Sequence, residues 1–210
     1  MENRQFNKDH LFMRLMSGNV CGEIRDQFPC DDILNLTVGY RWLEEQEDGI
    51  RTSQPLRTEQ LEENGLKKEE LLALAKHNTG ELFKTRLYKL EELVRRICEG
   101  ADAKDYMEEE GELDKSELYV CTNDSGMFGA AVMFIDSVIE KIAKRLGCSL
   151  YILPSSIHEV IIVPRVEQYD LNMLKETVKA VNSTVVNEND FLSDSVYRYD
   201  LQTSTVEIAM

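Results

Sequence analysis

An α+β fold, a largely antiparallel sheet with flanking helices, follows from three features of the sequence. Short runs rich in β-branched and aromatic residues end in turn signals. Other stretches repeat apolar residues at helical spacing. In the second half these elements succeed one another as ββαββα plus a closing strand, an order that favours antiparallel neighbours.

Asn7 or Asp9 is placed to cap a short helix with Leu11, Phe12, Leu15 and Met16 on one face, and Ser17-Gly18 is placed to end it. After Pro29, the run from Ile33 to Leu43 predicts a strand, and Glu47-Asp48-Gly49 a turn. A weaker strand runs from Ile50 to Leu56, with Pro55 marking its end or an edge. Tyr40, Arg41 and Trp42 lie on the first of these strands. With only the weaker segment beside it, one edge would admit a strand from a partner. Protection by Arg51, Pro55 and Arg57, or by the N-terminal helix, is the simpler expectation. Leu66 to His77 predicts a helix, Phe83 to Leu90 a short strand, and Leu90, Leu93, Val94 and Ile97 a further helix up to about Cys98.

The stretch from Glu99 to Glu117 carries nine acids and two lysines. Like charges repel and little there asks for burial, so it reads as a solvated linker, or alternatively a helical extension. It divides the chain into an N-terminal α+β part (1–98), an acidic linker (99–117) and a C-terminal α+β domain (118–210).

In that domain Leu118 to Cys121 is a strand, Asn123-Asp124-Ser125-Gly126 a turn, and the apolar run Phe128 to Ile135 a second strand. Ser137 and Glu140 have the spacing of a capping box, followed by a buried stripe of Val138, Ile139, Ile142, Ala143 and Leu146 and a left-handed stop at Gly147. Leu150–Leu153 and Val160–Val163 lack polar alternation, as strands covered on both faces do. Asp170 caps a helix that turns Leu171, Leu174, Val178 and Val181 inward. Val196–Leu201 and Thr205–Ile208 close the sheet.

Composition narrows the function. Hydrophobic residues make up 42%, enough for a packed core rather than wholesale disorder. The formal net charge is −15, with 27 acids against 17 bases before Leu118 and 12 against 7 from there on. Neither half offers the basic footprint that phosphate backbones or anionic lipids require, so, a small local basic patch apart, neither nucleic acid nor membrane is expected as a partner and a protein partner is the remaining expectation. No segment approaches the roughly 20 apolar residues of a membrane helix, and the polar start, Met1 to His10, lacks the order of a signal peptide. Cys21, Cys30, Cys98, Cys121 and Cys148 are odd in number and contain no C-x-x-C, so free thiols in a reducing cytoplasm are expected.

The segment Tyr151-Ile152-Leu153-Pro154-Ser155-Ser156-Ile157-His158-Glu159-Val160 stands out, together with Leu118–Thr122, Phe128-Gly129-Ala130-Ala131 and the tail Leu192-Ser193-Asp194-Ser195-Val196-Tyr197-Arg198-Tyr199-Asp200. On these stretches the chain resembles a bacterial family of unknown function. The strand at Asp31–Tyr40 and the helix at Leu71–Thr79 fit it more loosely. The resemblance implies a shared fold and a bacterial, cytoplasmic origin, and brings no activity, cofactor or catalytic residue. Its members extend further at the N-terminus, which implies that this chain is a short or trimmed member.

Candidate chemistry centres on Ser155, Ser156, His158 and Glu159. A serine nucleophile needs a base within hydrogen-bond reach and a third group to orient that base. If the stretch is extended, Ser156 and His158 share a face at about 7 Å along the chain and Glu159 points away. That is too far for a direct bond without a bend, and no G-x-S-x-G elbow is present. The simpler expectation is a turn between two buried strands, with Pro154 at its exit and the serines bonded to backbone. His10, His77 and His158 are scattered, His158-Glu159 lacks a second histidine four residues on, and the cysteine spacing matches no zinc site, so no metal is expected. Asn123–Gly129 lacks the lysine of a phosphate loop and reads as an ordinary hairpin turn, with Met127 and Phe128 in the core. No cofactor is implied. The expectation is a non-enzymatic interaction or regulatory module, with a hydrolase built on the serine–histidine string as the alternative.

Overall fold

The computed structural model describes residues 6–45, 51–154 and 156–210. The chain forms two compact units, Met1–Phe83 and Lys84–Met210. Both mix helices with antiparallel sheets, the α+β class expected.

The first unit is built around one long strand. Its strands are β1 (Leu11–Ser17), β2 (Cys30–Ile33), β3 (Leu36–Glu45) and β4 (Arg51–Pro55). Its helices are α1 (Cys21–Ile24), α2 (Glu59–Glu63) and α3 (Lys68–Leu82). β1 pairs along one side of β3, from Leu11 opposite Trp42 to Ser17 opposite Leu36. On the other side β2 pairs with the first half of β3 and β4 with the second. The strand carrying Tyr40 and Trp42 is therefore central and protected, as the simpler expectation held, but its cover is β1 on one side and β2 with β4 on the other. The expected turn at 47–49 lies outside the described residues.

The segment expected as the N-terminal helix is β1. Asn7 does cap, accepting the Asp9 amide at 3.0 Å, but only a single 3-10 turn at Lys8–His10 follows. Leu11-Phe12-Met13-Arg14-Leu15-Met16 is apolar at five of six positions. Over so short a run helical spacing and a doubly covered strand look alike, and pairing with β3 decides. Leu11, Phe12, Met13 and Leu15 are all buried. The expected single strand 33–43 is likewise a hairpin, with Ile33 paired to Leu36 across a two-residue turn and Leu34 in the left-handed region at φ 57°.

Helix α3 runs past its expected end at His77 because its polar last turns have partners on β1 and on the 3-10 turn before it. Thr79 Oγ1 accepts the Met13 amide at 3.0 Å and donates to the Ala75 carbonyl. Asn78 Nδ2 donates to the Lys8 carbonyl at 2.8 Å. Side chains of α3 thus satisfy backbone groups on the outer edge of β1 and in the turn that leads into it. Cys21 and Cys30 are joined in a disulfide with Cα atoms 5.5 Å apart. That corrects the expectation of five free thiols: Cys98, Cys121 and Cys148 are free.

The second unit holds a six-stranded sheet in the order β10-β9-β7-β8-β6-β5, antiparallel throughout. In chain order it contains β5 (Thr85–Lys89), α4 (Leu90–Glu99), β6 (Tyr119–Asn123), α5 (Asp136–Leu146), β7 (Leu150–Leu153) and β8 (Val160–Pro164). They are followed by α6 (Leu171–Thr184), β9 (Tyr197–Asp200) and β10 (Thr205–Ile208). Cross-strand pairing puts Leu87, Tyr119, Cys121, Val160, Ile162, Ile152, Leu150, Tyr197 and Tyr199 on one face. All of them are buried, each aliphatic side chain contributing roughly 1.5–3 kcal/mol. The opposite face packs Tyr151, Leu153 and Val163 with Val178 of α6, and Leu171 and Leu174 lie against the same cluster. Coverage of both faces explains why β7 and β8 show no polar alternation.

Two expectations fail locally. Phe128–Ile135 is not a strand: Gly129–Phe134 forms 3-10 turns that pack on β6 and β8 and support α5. A continuous apolar run does not distinguish the two. In α5 the five residues of the expected stripe are buried and Gly147 ends the helix at φ 58°, but Ile135 is the N-cap and no side chain caps it. Glu140 pairs with Lys144 instead.

The acidic segment, expected as the join between domains, lies inside the second unit. Beyond Glu99, the last residue of α4, it forms no helix or strand, yet it is tied down. The Leu113 amide donates to the Arg145 carbonyl, and Asp105 receives the Leu87 amide and the Arg86 guanidinium. A few specific acids, rather than the overall charge, decide its course.

Candidate functional site

The distinctive string is the connection between β7 and β8. Ser155 lies outside the described residues. Pro154, Ser156 and Ile157 are buried, while the His158 side chain is 30% exposed. Ser156 Oγ donates to Glu159 Oε1 at 2.8 Å and accepts the His158 amide at 3.0 Å. The structure brings Ser156, His158 and Glu159 together within one turn, but the serine hydroxyl faces the glutamate and not the imidazole.

His158 is held by residues from two other loops. The Phe128 amide donates to Nδ1 at 3.3 Å, and Nε2 lies 3.3 Å from Asp190 Oδ1. A backbone N–H can only donate, so Nδ1 is unprotonated and the ring proton sits on Nε2, directed at Asp190. Both ring nitrogens are thereby committed. In a serine–histidine pair one nitrogen must keep its lone pair free for the serine while the other is oriented by an acid. Neither nitrogen meets that requirement here.

The backbone of the string is fixed equally closely. Thr122 Oγ1 donates to the His158 carbonyl at 2.7 Å, the Ala130 amide donates to the Ile157 carbonyl, and the Ile157 amide donates to the Asp190 carbonyl. Phe128 adopts φ 55° and stacks on the imidazole with ring centroids 6.1 Å apart. At Gly129 a Cβ would lie 2.3 Å from the His158 carbonyl oxygen and 2.4 Å from Thr122 Oγ1, so only glycine fits. The string is the hub of a clasp that joins the β6–α5 connection, the β7–β8 connection and the loop before β9. Thr122, Phe128 and Gly129 lie in stretches that carry the family resemblance and Asp190 in none, and nothing local shows that these residues meet the string, because each does so only through tertiary folding.

The Asn123–Gly129 loop is closed on itself. Asn123 Nδ2 donates to the Met127 carbonyl, and Ser125 Oγ donates to Asn123 Oδ1 and accepts the Met127 amide. Met127, expected in the core, is 54% exposed, while Phe128 is half-buried against His158. His10 Nδ1 lies 3.2 Å from the Leu43 carbonyl and His77 is exposed. Among the described residues no group of three or more histidine, cysteine, aspartate or glutamate side chains could hold a metal ion. Burial pushes the Cys121 and Cys148 thiols up, which lowers their thiolate fraction and hence their reactivity.

Among the described residues no helix is long and apolar enough to cross a membrane. No curated protein and no solved structure matches the chain. One family model does, over residues 1–201, which takes in the Leu192–Asp200 tail as well as the clasp. The chain belongs to that family, DUF5688, a family of unknown function.

Proposed function

We propose that this protein is a non-enzymatic interaction or regulatory module of a bacterium, and that its Ser156–Glu159 string is a structural clasp. The observation that carries the reading is the commitment of both His158 ring nitrogens, to the Phe128 amide and to Asp190, which leaves no imidazole lone pair for a serine. The burial of Ser156, whose hydroxyl is turned into the connection toward Glu159 and not outward, supports it. A net charge of −15 suits a basic protein partner, which it would attract over a distance and orient on approach.

The competing reading is a hydrolase centred on Ser155, Ser156, His158 and Glu159. A fluorophosphonate probe, which labels serines activated by a neighbouring base, separates the two. No labelling is expected in the wild type. Labelling of Ser155 or Ser156 that disappears in His158→Ala would replace the module reading with the hydrolase.

A further inference from the structure

Strand β5 ends the six-stranded sheet, yet its outer side is not open. Its Leu87 amide donates to Asp105 Oδ1 at 3.0 Å, and its Leu87 carbonyl accepts the Tyr106 amide at 2.7 Å. That pair of bonds is what a neighbouring antiparallel strand supplies at one rung of a ladder. Here it comes from an irregular strap in the acidic segment.

The strap is fastened mainly by polar contacts. Arg86 Nη1 reaches Asp105 Oδ2 and Glu108 Oε1, each at 2.8 Å, and Lys84 also bonds Glu108. Glu92 accepts the Tyr106 hydroxyl and the Lys104 amide, Lys104 pairs with Glu109, and Lys89 and Lys104 lie over the Tyr106 ring. Glu108 and Lys84 are about half exposed. Rim pairs of this kind are individually weak and are screened by salt. A strap of this composition covers an edge without welding it shut.

We propose that residues 104–108 are an edge guard that keeps β5 from pairing with β5 of a second copy of this chain. The sequence of β5 argues for a second copy as the strand held off. A two-fold axis through Leu87 would set Leu87 opposite Leu87, each exchanging its N–H and C=O with the other. Arg86 of one copy would then face Tyr88 of the other, and Thr85 would face Lys89. No like charges meet in that register, and arginine beside an aromatic ring is favourable. Pairing would join two six-stranded sheets edge to edge. The acids of the guard then have a job their composition alone does not reveal: exposed sheet edges invite association, and charge placed along them opposes it. This inference goes beyond the module reading and does not depend on the His158 clasp.

The test uses the full chain with Asp105→Ala and Glu108→Ala combined. Amide exchange at Leu87 is followed by NMR and mass by sedimentation velocity over a concentration series. In dilute solution Leu87 is expected to exchange at least about ten-fold faster than in wild type, while Val120 and Ile161 keep their protection. At high concentration the variant is expected to reach twice the wild-type mass, with Leu87 protected again. Adding Tyr88→Lys, which sets lysine against Arg86, is expected to return it to wild-type mass with Leu87 still labile. Unchanged protection at Leu87, a labile Leu87 with no gain in mass, or a dimer that survives Tyr88→Lys would each overturn the proposal. If the double variant does not fold, the same readouts apply to Asp105→Ala alone.

Discussion

The Phe128 amide donates to Nδ1 of His158 at 3.3 Å, so one backbone proton sets the tautomer of the imidazole and turns its only N–H toward Asp190. Replacement of His158 by alanine leaves the Phe128 amide and the Asp190 carboxylate without that partner, and is expected to cost about 1–3 kcal/mol. His158→Asn places an amide oxygen near Nδ1 and is expected to lose less. Urea denaturation of both variants checks the order; equal losses would mean that the Phe128 bond does not hold the clasp.

Gly129 and Gly22 are predicted to respond in opposite directions. At Gly129 a Cβ would meet the His158 carbonyl oxygen at 2.3 Å and the Asn123 nitrogen at 3.0 Å. Both contacts are backbone and cannot swing aside, so Gly129→Ala is expected to cost about 1–3 kcal/mol or more. At Gly22, in α1, a Cβ meets nothing within 4 Å. Gly22→Ala is expected to stabilise by about 0.4–1 kcal/mol, since it removes freedom from the unfolded chain. Thermal melts of the two variants read this directly.

The disulfide between Cys21 and Cys30 predicts a thiol count. Under denaturing conditions without reductant, the chain is expected to take up alkylating agent at Cys98, Cys121 and Cys148 only, and at all five cysteines after reduction. Cys21→Ala with Cys30→Ala is expected to lower stability by about 2–3 kcal/mol, the range for a short closed loop. Five reactive thiols in protein kept under air would show that the bond does not form.

Asp105 gives the second unit an acid-labile component. Burial pushes its carboxyl up, but the Arg86 guanidinium and the amides of Leu87 and Met107 outweigh burial and hold it below the ordinary aspartate value. A depressed carboxyl contributes stability that is fully present above the unfolded value, near about 4, and is lost as pH falls through the lower folded value. Urea midpoints measured from pH 5 downward should show this loss in wild type. Asp105→Asn should flatten that part of the curve, and an unchanged slope would remove Asp105 as its source.

Legibility in the sequence followed periodicity, caps and turn residues. The stripe of α5 declared itself by its period and α6 by its Asp170 cap, while β7 and β8, though continuous apolar runs, are short, rich in isoleucine and valine and bounded by Gly147, Pro154 and Pro164. β1 and Gly129–Phe134 did not declare themselves, since both are nearly continuous apolar runs whose conformation is chosen by what they pack against. The site was half legible. Ser156, His158 and Glu159 stand within four positions, but Asp190 lies 32 residues from His158. Composition likewise marked the acidic segment as charged without revealing that Asp105 completes a sheet edge 18 residues away.

The bond from the Met13 amide to Thr79 spans 66 residues. During synthesis the first strand therefore leaves the ribosome long before the helix that seals it exists. Until α3 has emerged, a nascent chain carries an apolar β1 whose edge lacks its cover, and that interval is when it is most exposed to aggregation or to a chaperone. Codon choice or pausing between Arg51 and Phe83 would lengthen the interval and lower the yield of folded protein without altering a single residue.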